Sequence, residues 1–114
     1  MKKVLIVEDE SILSLIHQKC IQLLDYVVVD TVKTGQEAID AVLKHQPDLI
    51  LMDIQLEGDI NGVDTMEEIR KFSSVDVIYV TGNSELMERA QKTNMLGFII
   101  KPLTINSLID ILIK

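Results

Sequence analysis

No stretch of the 114 residues reaches the ~20 consecutive apolar residues that cross a bilayer, so membrane insertion is not expected. Nor does a secretory pattern open the chain: Lys2-Lys3 is followed by only a short apolar run before Glu8, and a cytoplasmic location is the expectation. Basic residues are scarce, 11 Lys and Arg against 18 Asp and Glu, and the net charge of −7 repels nucleic-acid phosphates and anionic lipid head groups. Direct nucleic-acid binding is therefore not expected. The one cysteine, Cys20, falls in the series Ile12, Ile16, Cys20, Leu23, Leu24, whose spacing predicts one buried helix face, so it reads as a core residue rather than a redox centre. Internal repeats, low-complexity tracts and linkers are missing too. With 47% apolar residues, the length suits a single domain over residues 1–114.

What is present is a series of short, continuous runs rich in Val, Ile and Leu: residues 3–7, about 27–32, 49–52, 76–80 and 98–100. Continuous rather than alternating apolar character predicts strands covered on both faces. The intervals are long enough for helices and carry start signals. Thr34-Gly35-Gln36-Glu37 has capping-box spacing ahead of Ala38, Ile39, Val42 and Leu43. Ser84-Glu85 precedes Leu86, Met87 and Ala90, and Thr104 precedes Ile105, Leu108, Ile109 and Leu112. Five strands alternating with five helices predict a doubly wound α/β fold, a parallel sheet built from right-handed crossovers. Ligands of such sheets bind outside the carboxyl ends of the strands.

That edge is where the chemistry gathers. Glu8-Asp9 ends the first run, Asp53 the third, Thr81 the fourth and Lys101-Pro102 the fifth. Three carboxylates brought within a few ångströms repel one another, which a small hard cation resolves. Mg²⁺ takes oxygen ligands, is commonly held by one or two carboxylates, and keeps positions open for a phosphate. A carboxylate is also a known nucleophile toward phosphorus, giving an acyl phosphate. Negative charge on a moving phosphoryl group calls for a cation and hydrogen-bond donors, and Lys101 and Thr81 are placed to supply them.

Four pieces in order, Val7-Glu8-Asp9-Glu10, Leu51-Met52-Asp53-Ile54, Val80-Thr81-Gly82 and Ile100-Lys101-Pro102, resemble the receiver domain of two-component response regulators along the whole chain. The resemblance implies a flavodoxin-like five-stranded sheet of order 2-1-3-4-5 with five helices. It implies that Asp53 accepts a phosphoryl group from a sensor histidine kinase or phosphotransfer protein. Asp9, Asp53 and the backbone carbonyl of Gln55 would hold Mg²⁺, with Glu8 acting through water. Thr81 would move to the phosphoryl group and Phe98 would change its burial, while the Lys101-Pro102 peptide would be cis. Such a chain is a switch rather than an enzyme. Two departures stand out: Glu57 replaces a common proline, and the segment 55–62 reads one residue longer than usual. Gln55 and Asn83 stand where family side chains tune the phosphoryl lifetime.

Taken singly these residues are ordinary: a strand-end acid, a β-branched threonine, a surface lysine. His17 and His45 share no motif and read as incidental, and Met52, Met66, Met87 and Met95 as core filler. Ile111 and Ile113 widen the apolar stripe of the last helix, which suggests a contact with an output partner or a second copy. Two other functions compete. A phosphohydrolase using an aspartyl phosphate usually has a second Asp where Gln55 stands. A degenerate receiver, used only for binding, would lack acidic residues or the lysine, and all are here.

Overall fold

Val4–Val7, Leu49–Asp53 and Val77–Thr81 are buried along their whole length, which is why these runs carry no polar alternation. They are the three central strands of a sheet in a computed structural model describing residues 2–113. Strands and helices alternate: β1 (Lys3–Val7), α1 (Ser11–Leu23), β2 (Val27–Val32), α2 (Gly35–His45), β3 (Leu49–Asp53), α3 (Gly62–Ile69), β4 (Asp76–Thr81), α4 (Met87–Gln91), β5 (Gly97–Ile100) and α5 (Ile105–Leu112). All neighbours are parallel in the order β2-β1-β3-β4-β5, the doubly wound flavodoxin-like arrangement. Cover on both faces fails for β2 and β5, which are only partly buried. Each has one neighbouring strand and lies where the helical layers end.

Alternate residues of the strands feed two cores. Leu5, Val7, Ile50, Met52, Val77 and Tyr79 pack with Ala38, Val42, Val63 and Met66 from α2 and α3. Val4, Ile6, Leu51, Ile78 and Val80 meet Ile21 of α1 and Leu108 of α5 on the other face. Met52 and Met66 are wholly buried and Met95 packs at the margin of the first core.

Register fixes the reactive edge. Val7 pairs with Met52, Asp53 with Val80, and Thr81 with Ile100, so the carboxyl ends of four strands are level. Lys101 N–H donates to the Thr81 carbonyl at 2.7 Å, extending the ladder one residue past β5. Gly62 opens α3 directly behind Asp53, where a Cβ would stand 2.2 Å from the Asp53 carbonyl oxygen. Only glycine allows that approach.

Capping is clean at two of the three announced starts, Thr34 and Thr104, and in one further place. Thr34 Oγ1 accepts from Glu37 N–H at 3.2 Å while the Glu37 carboxylate accepts from Thr34 N–H. Thr104 and Ser107 form the same reciprocal pair on α5, and Asn61 with Asp64 forms it on α3, which the sequence reading did not single out. The Ser84-Glu85 start is not realised. Asn83 Oδ1 takes the Glu85 N–H at 3.0 Å in a local turn, and α4 begins only at Met87 without a side-chain cap.

Three helix faces turn differently from the expected stripes. On α1 the buried residues are Ser14, His17 and Ile21, whereas Ile12 is 76% and Leu23 72% exposed and Cys20 is half-buried. A helix has several stripes of equal spacing, and here the inward one includes a serine and a histidine, so apolarity selects the wrong one. On α2 the small residues Gly35, Ala38 and Ala41 face inward with Val42, and Leu43 is exposed. On α5 Ile111 is not surplus surface. Its side chain fills the space that a Cβ on Gly97 would need. Only Leu108 is fully buried there, Ile105 and Ile109 are half-buried, and Ile113 lies beyond the helix, exposed.

Candidate functional site

The strand ends bring Glu8, Asp9 and Asp53 together, each offering a carboxylate oxygen within 4.8 Å of the others. Glu8 and Asp53 are buried, 1% and 2% exposed, and Asp9 is half-buried at the rim. Lys101 reaches in from the end of β5, its Nζ 3.1 Å from Glu8 Oε1 and 3.4 Å from Asp53 Oδ2. The Glu8 contact has the distance of an ion pair but not the angle of a hydrogen bond. Glu8 Oε1 is thus a buried oxygen with no hydrogen-bond donor, while Oε2 takes the Glu10 N–H at 3.2 Å.

The electrostatics follow from burial. Asp53 is pushed up to about 7, by removal from water first and by the Glu8 carboxylate second, against the pull of Lys101 and of the Gln55 N–H on Oδ1. Burial alone would lower Lys101, but Asp53 and Glu8 outweigh it and hold the ammonium above its ordinary value. One ammonium faces three acids. The uncompensated charge, the convergent oxygens and the donorless Glu8 Oε1 fit a small hard cation, for which oxygen-only ligands are the ordinary set.

Thr81, buried at the end of β4, donates its hydroxyl to Gln55 Oε1 at 2.5 Å. Gln55 therefore meets the site twice, by its N–H on Asp53 and by its side chain on Thr81. Its carbonyl is the expected metal ligand, whereas the side-chain contact carries no sequence signal, since no pattern marks a glutamine as reaching a residue on another strand. Phe98 lies apart from the acids, half-buried against Tyr79 with ring centroids 6.4 Å apart. The Lys101-Pro102 peptide bond is cis. In the segment 55–62, Gly58 takes a positive φ of 101° and Glu57 bridges to Thr34, so the loop folds back toward α2.

Tyr79 and Arg70 were not anticipated. The Tyr79 hydroxyl meets Thr93 Oγ1 at 2.7 Å, Thr93 Oγ1 donates to the Ala90 carbonyl, and Arg70 Nε donates to the Thr93 carbonyl at 2.7 Å. Arg89 ties α4 to α3 through Asp64 at 2.8 Å and Glu67 at 2.6 Å. The short α4, with little packing of its own, is held by these polar contacts. A hollow of about 580 Å³ lined by Leu43, Asp48, Phe72 and Asp76 lies by the start of β4, and none of Glu8, Asp9 and Asp53 lines it.

His17 is not incidental. It is buried on the inner face of α1, and burial, then the positive field of Lys101, lowers it to about 4. Below its ordinary value of 6.5 the unfolded chain takes a proton that the folded chain refuses, so stability is lost as pH falls from 6.5 toward 4. Asp53 has the opposite slope across that whole window, so the effect is isolated in an Asp53→Asn background. There, denaturant unfolding should lose about 2 kcal/mol between pH 7.5 and pH 5, and a further His17→Gln change should remove most of that slope. An unchanged slope would mean that His17 is protonated in the fold. His45, half-buried at the end of α2, contacts Asp30 of β2 at 3.3 Å.

Among the described residues no helix is long and apolar enough to cross a membrane. A sequence model described as the response regulator receiver domain matches residues 4–113. Chemotaxis protein CheY of Thermotoga maritima is 28% identical over 116 residues, covering 99% of this chain and 96% of its own. Response regulator ArlR of Staphylococcus aureus is 32% identical over 111 residues, covering 96% of this chain and 50% of its own. The chain likewise spans 53% of the transcriptional regulatory protein PdtaR of Mycobacterium tuberculosis, about half the length of either relative. Among solved structures, the receiver domain of sensor histidine kinase PA1611 from Pseudomonas aeruginosa, with a magnesium ion coordinated in its active site cleft, superposes with a TM-score of 0.85. It is 26% identical, over 96% of this chain and 93% of that one.

Proposed function

The chain belongs to the response regulator receiver family, and from that premise we propose that Asp53 accepts a phosphoryl group from a partner histidine kinase or phosphotransfer protein and thereby switches the surface of the C-terminal half. The observation that carries the reading is the buried Asp53 carboxylate set among Glu8, Asp9 and Lys101 at the carboxyl edge of the sheet. When bound there by Asp9, Asp53, the Gln55 carbonyl and, through water, Glu8, Mg²⁺ would neutralise the carboxylates and the incoming phosphoryl oxygens.

The chain's own groups do the rest. An Asp53 oxygen forms a bond to phosphorus as the bond from phosphorus to the donor atom breaks, and the donor leaves with that electron pair. Lys101 faces the transferred oxygens with its ammonium, and Thr81 donates its hydroxyl to one of them. The chain is a switch and not a turnover enzyme, acting in the cytoplasm as a single receiver unit over residues 1–114. The added charge draws Thr81 inward, which lets Phe98 change its burial and alters the face formed by β5 and α5. That face is read by an output partner or a second copy, without direct contact to nucleic acid. Phosphorylation should alter the sedimentation of the chain if a second copy is the reader.

The test is intact mass after incubation with acetyl phosphate, with and without Mg²⁺. One Mg²⁺-dependent phosphoryl adduct, absent from Asp53→Asn, is the expected result. An adduct that survives the substitution would place the acceptor elsewhere.

A further inference from the structure

Gly82 N–H points at Gln55 Oε1 from 3.4 Å, alongside the Thr81 hydroxyl at 2.5 Å. Two donors aimed at one atom identify it as the amide oxygen rather than the nitrogen. Thr81 is buried and Gln55 is exposed, so the glutamine closes over the end of β4 from outside while its own N–H rests on Asp53 Oδ1 at 3.1 Å. A threonine hydroxyl carries one proton. It cannot donate to Gln55 and to a phosphoryl oxygen on Asp53 at the same time.

We propose that the Gln55 side chain is a latch that holds the Thr81 hydroxyl off the reaction centre until a phosphoryl group competes for it. The inference rests on the reading above, in which Thr81 answers the charge on Asp53. Gln55 is here a positioning residue, acting through Thr81. When the latch opens, its carbonyl turns to water at little cost because the side chain is already exposed, so what the phosphoryl group must overcome is the net worth of one hydrogen bond. Removing the side chain removes the competitor and raises the affinity for anything that needs the freed hydroxyl.

The experiment is calorimetric titration with beryllofluoride, a phosphoryl mimic that seats on an aspartate, in excess Mg²⁺. It compares wild type, Gln55→Ala, Thr81→Ala and the double variant. Gln55→Ala should bind roughly five-fold more tightly than wild type, the equivalent of one net hydrogen bond. The same substitution should have no effect beside Thr81→Ala, where nothing is left to latch, and should regain its effect beside Thr81→Ser, which restores the hydroxyl in a side chain that fits the same space. An unchanged or weaker affinity in Gln55→Ala would overturn the latch, as would an equal gain in the Thr81→Ala background, which would show a steric effect. Wild type that binds no beryllofluoride would overturn the Asp53 reading itself, and the latch with it.

Discussion

At pH 8 without divalent cations, Asp53→Asn should unfold at a higher temperature than wild type, by roughly 10 °C, even though it deletes the residue on which the function turns. The cause is the raised value of the buried carboxyl, about 7 in the fold against 3.8 ordinarily. Below pH 4 the carboxyl is protonated in both states and costs nothing. Between pH 4 and 7 the unfolded chain releases the proton while the folded chain keeps it, so stability falls as pH rises, and above 7 the full cost stands, on the order of 4 kcal/mol. Asparagine does not ionise and escapes it. The advantage should vanish near pH 4 and shrink in saturating Mg²⁺, which stabilises wild type by binding the folded state only. Thermal melts over pH 4–8, with chelator and with Mg²⁺, read all of this. A variant no more stable than wild type at pH 8 would mean that Lys101 already neutralises Asp53.

Lys101→Met should act in the other direction and as strongly. The ammonium is the only cation within ion-pair distance of Glu8 and Asp53 among the described residues, and its side chain is 20% exposed. Taking one partner from a buried charge set leaves the others uncompensated, which typically costs 3–5 kcal/mol. Denaturant unfolding at pH 8 should show a loss of about 3 kcal/mol in chelator. In the Asp53→Asn background the same change should cost less than half as much, because only Glu8 then lacks its partner. Equal losses in the two backgrounds would show that Lys101 contributes through its aliphatic stem.

The sheet and its edge were legible because burial on two faces leaves a direct mark: Leu49-Ile50-Leu51-Met52 has no polar residue to misread. Asp53 and Thr81 prove to be the last residues of their strands, one position beyond where the apolar runs stop. Helix orientation was less legible. Ser14 and His17 face inward because α1 closes over the polar end of the sheet, where apolarity is a poor guide to burial. Ile111 turned inward because Gly97, at the start of the preceding strand β5, leaves it room. Such complementarity exists only between elements. The Gln55 contact with Thr81 belongs to the same class, for a flexible side chain chooses its partner only after the strands are in register.

The four strand ends also set an order in time. During synthesis from the amino terminus, Glu8, Asp9 and Asp53 all emerge before Lys101, which follows the edge strand β5. A nascent chain therefore holds every repelling carboxylate before it holds the ammonium that opposes them. The fold is completed and its charge is compensated by the same late segment.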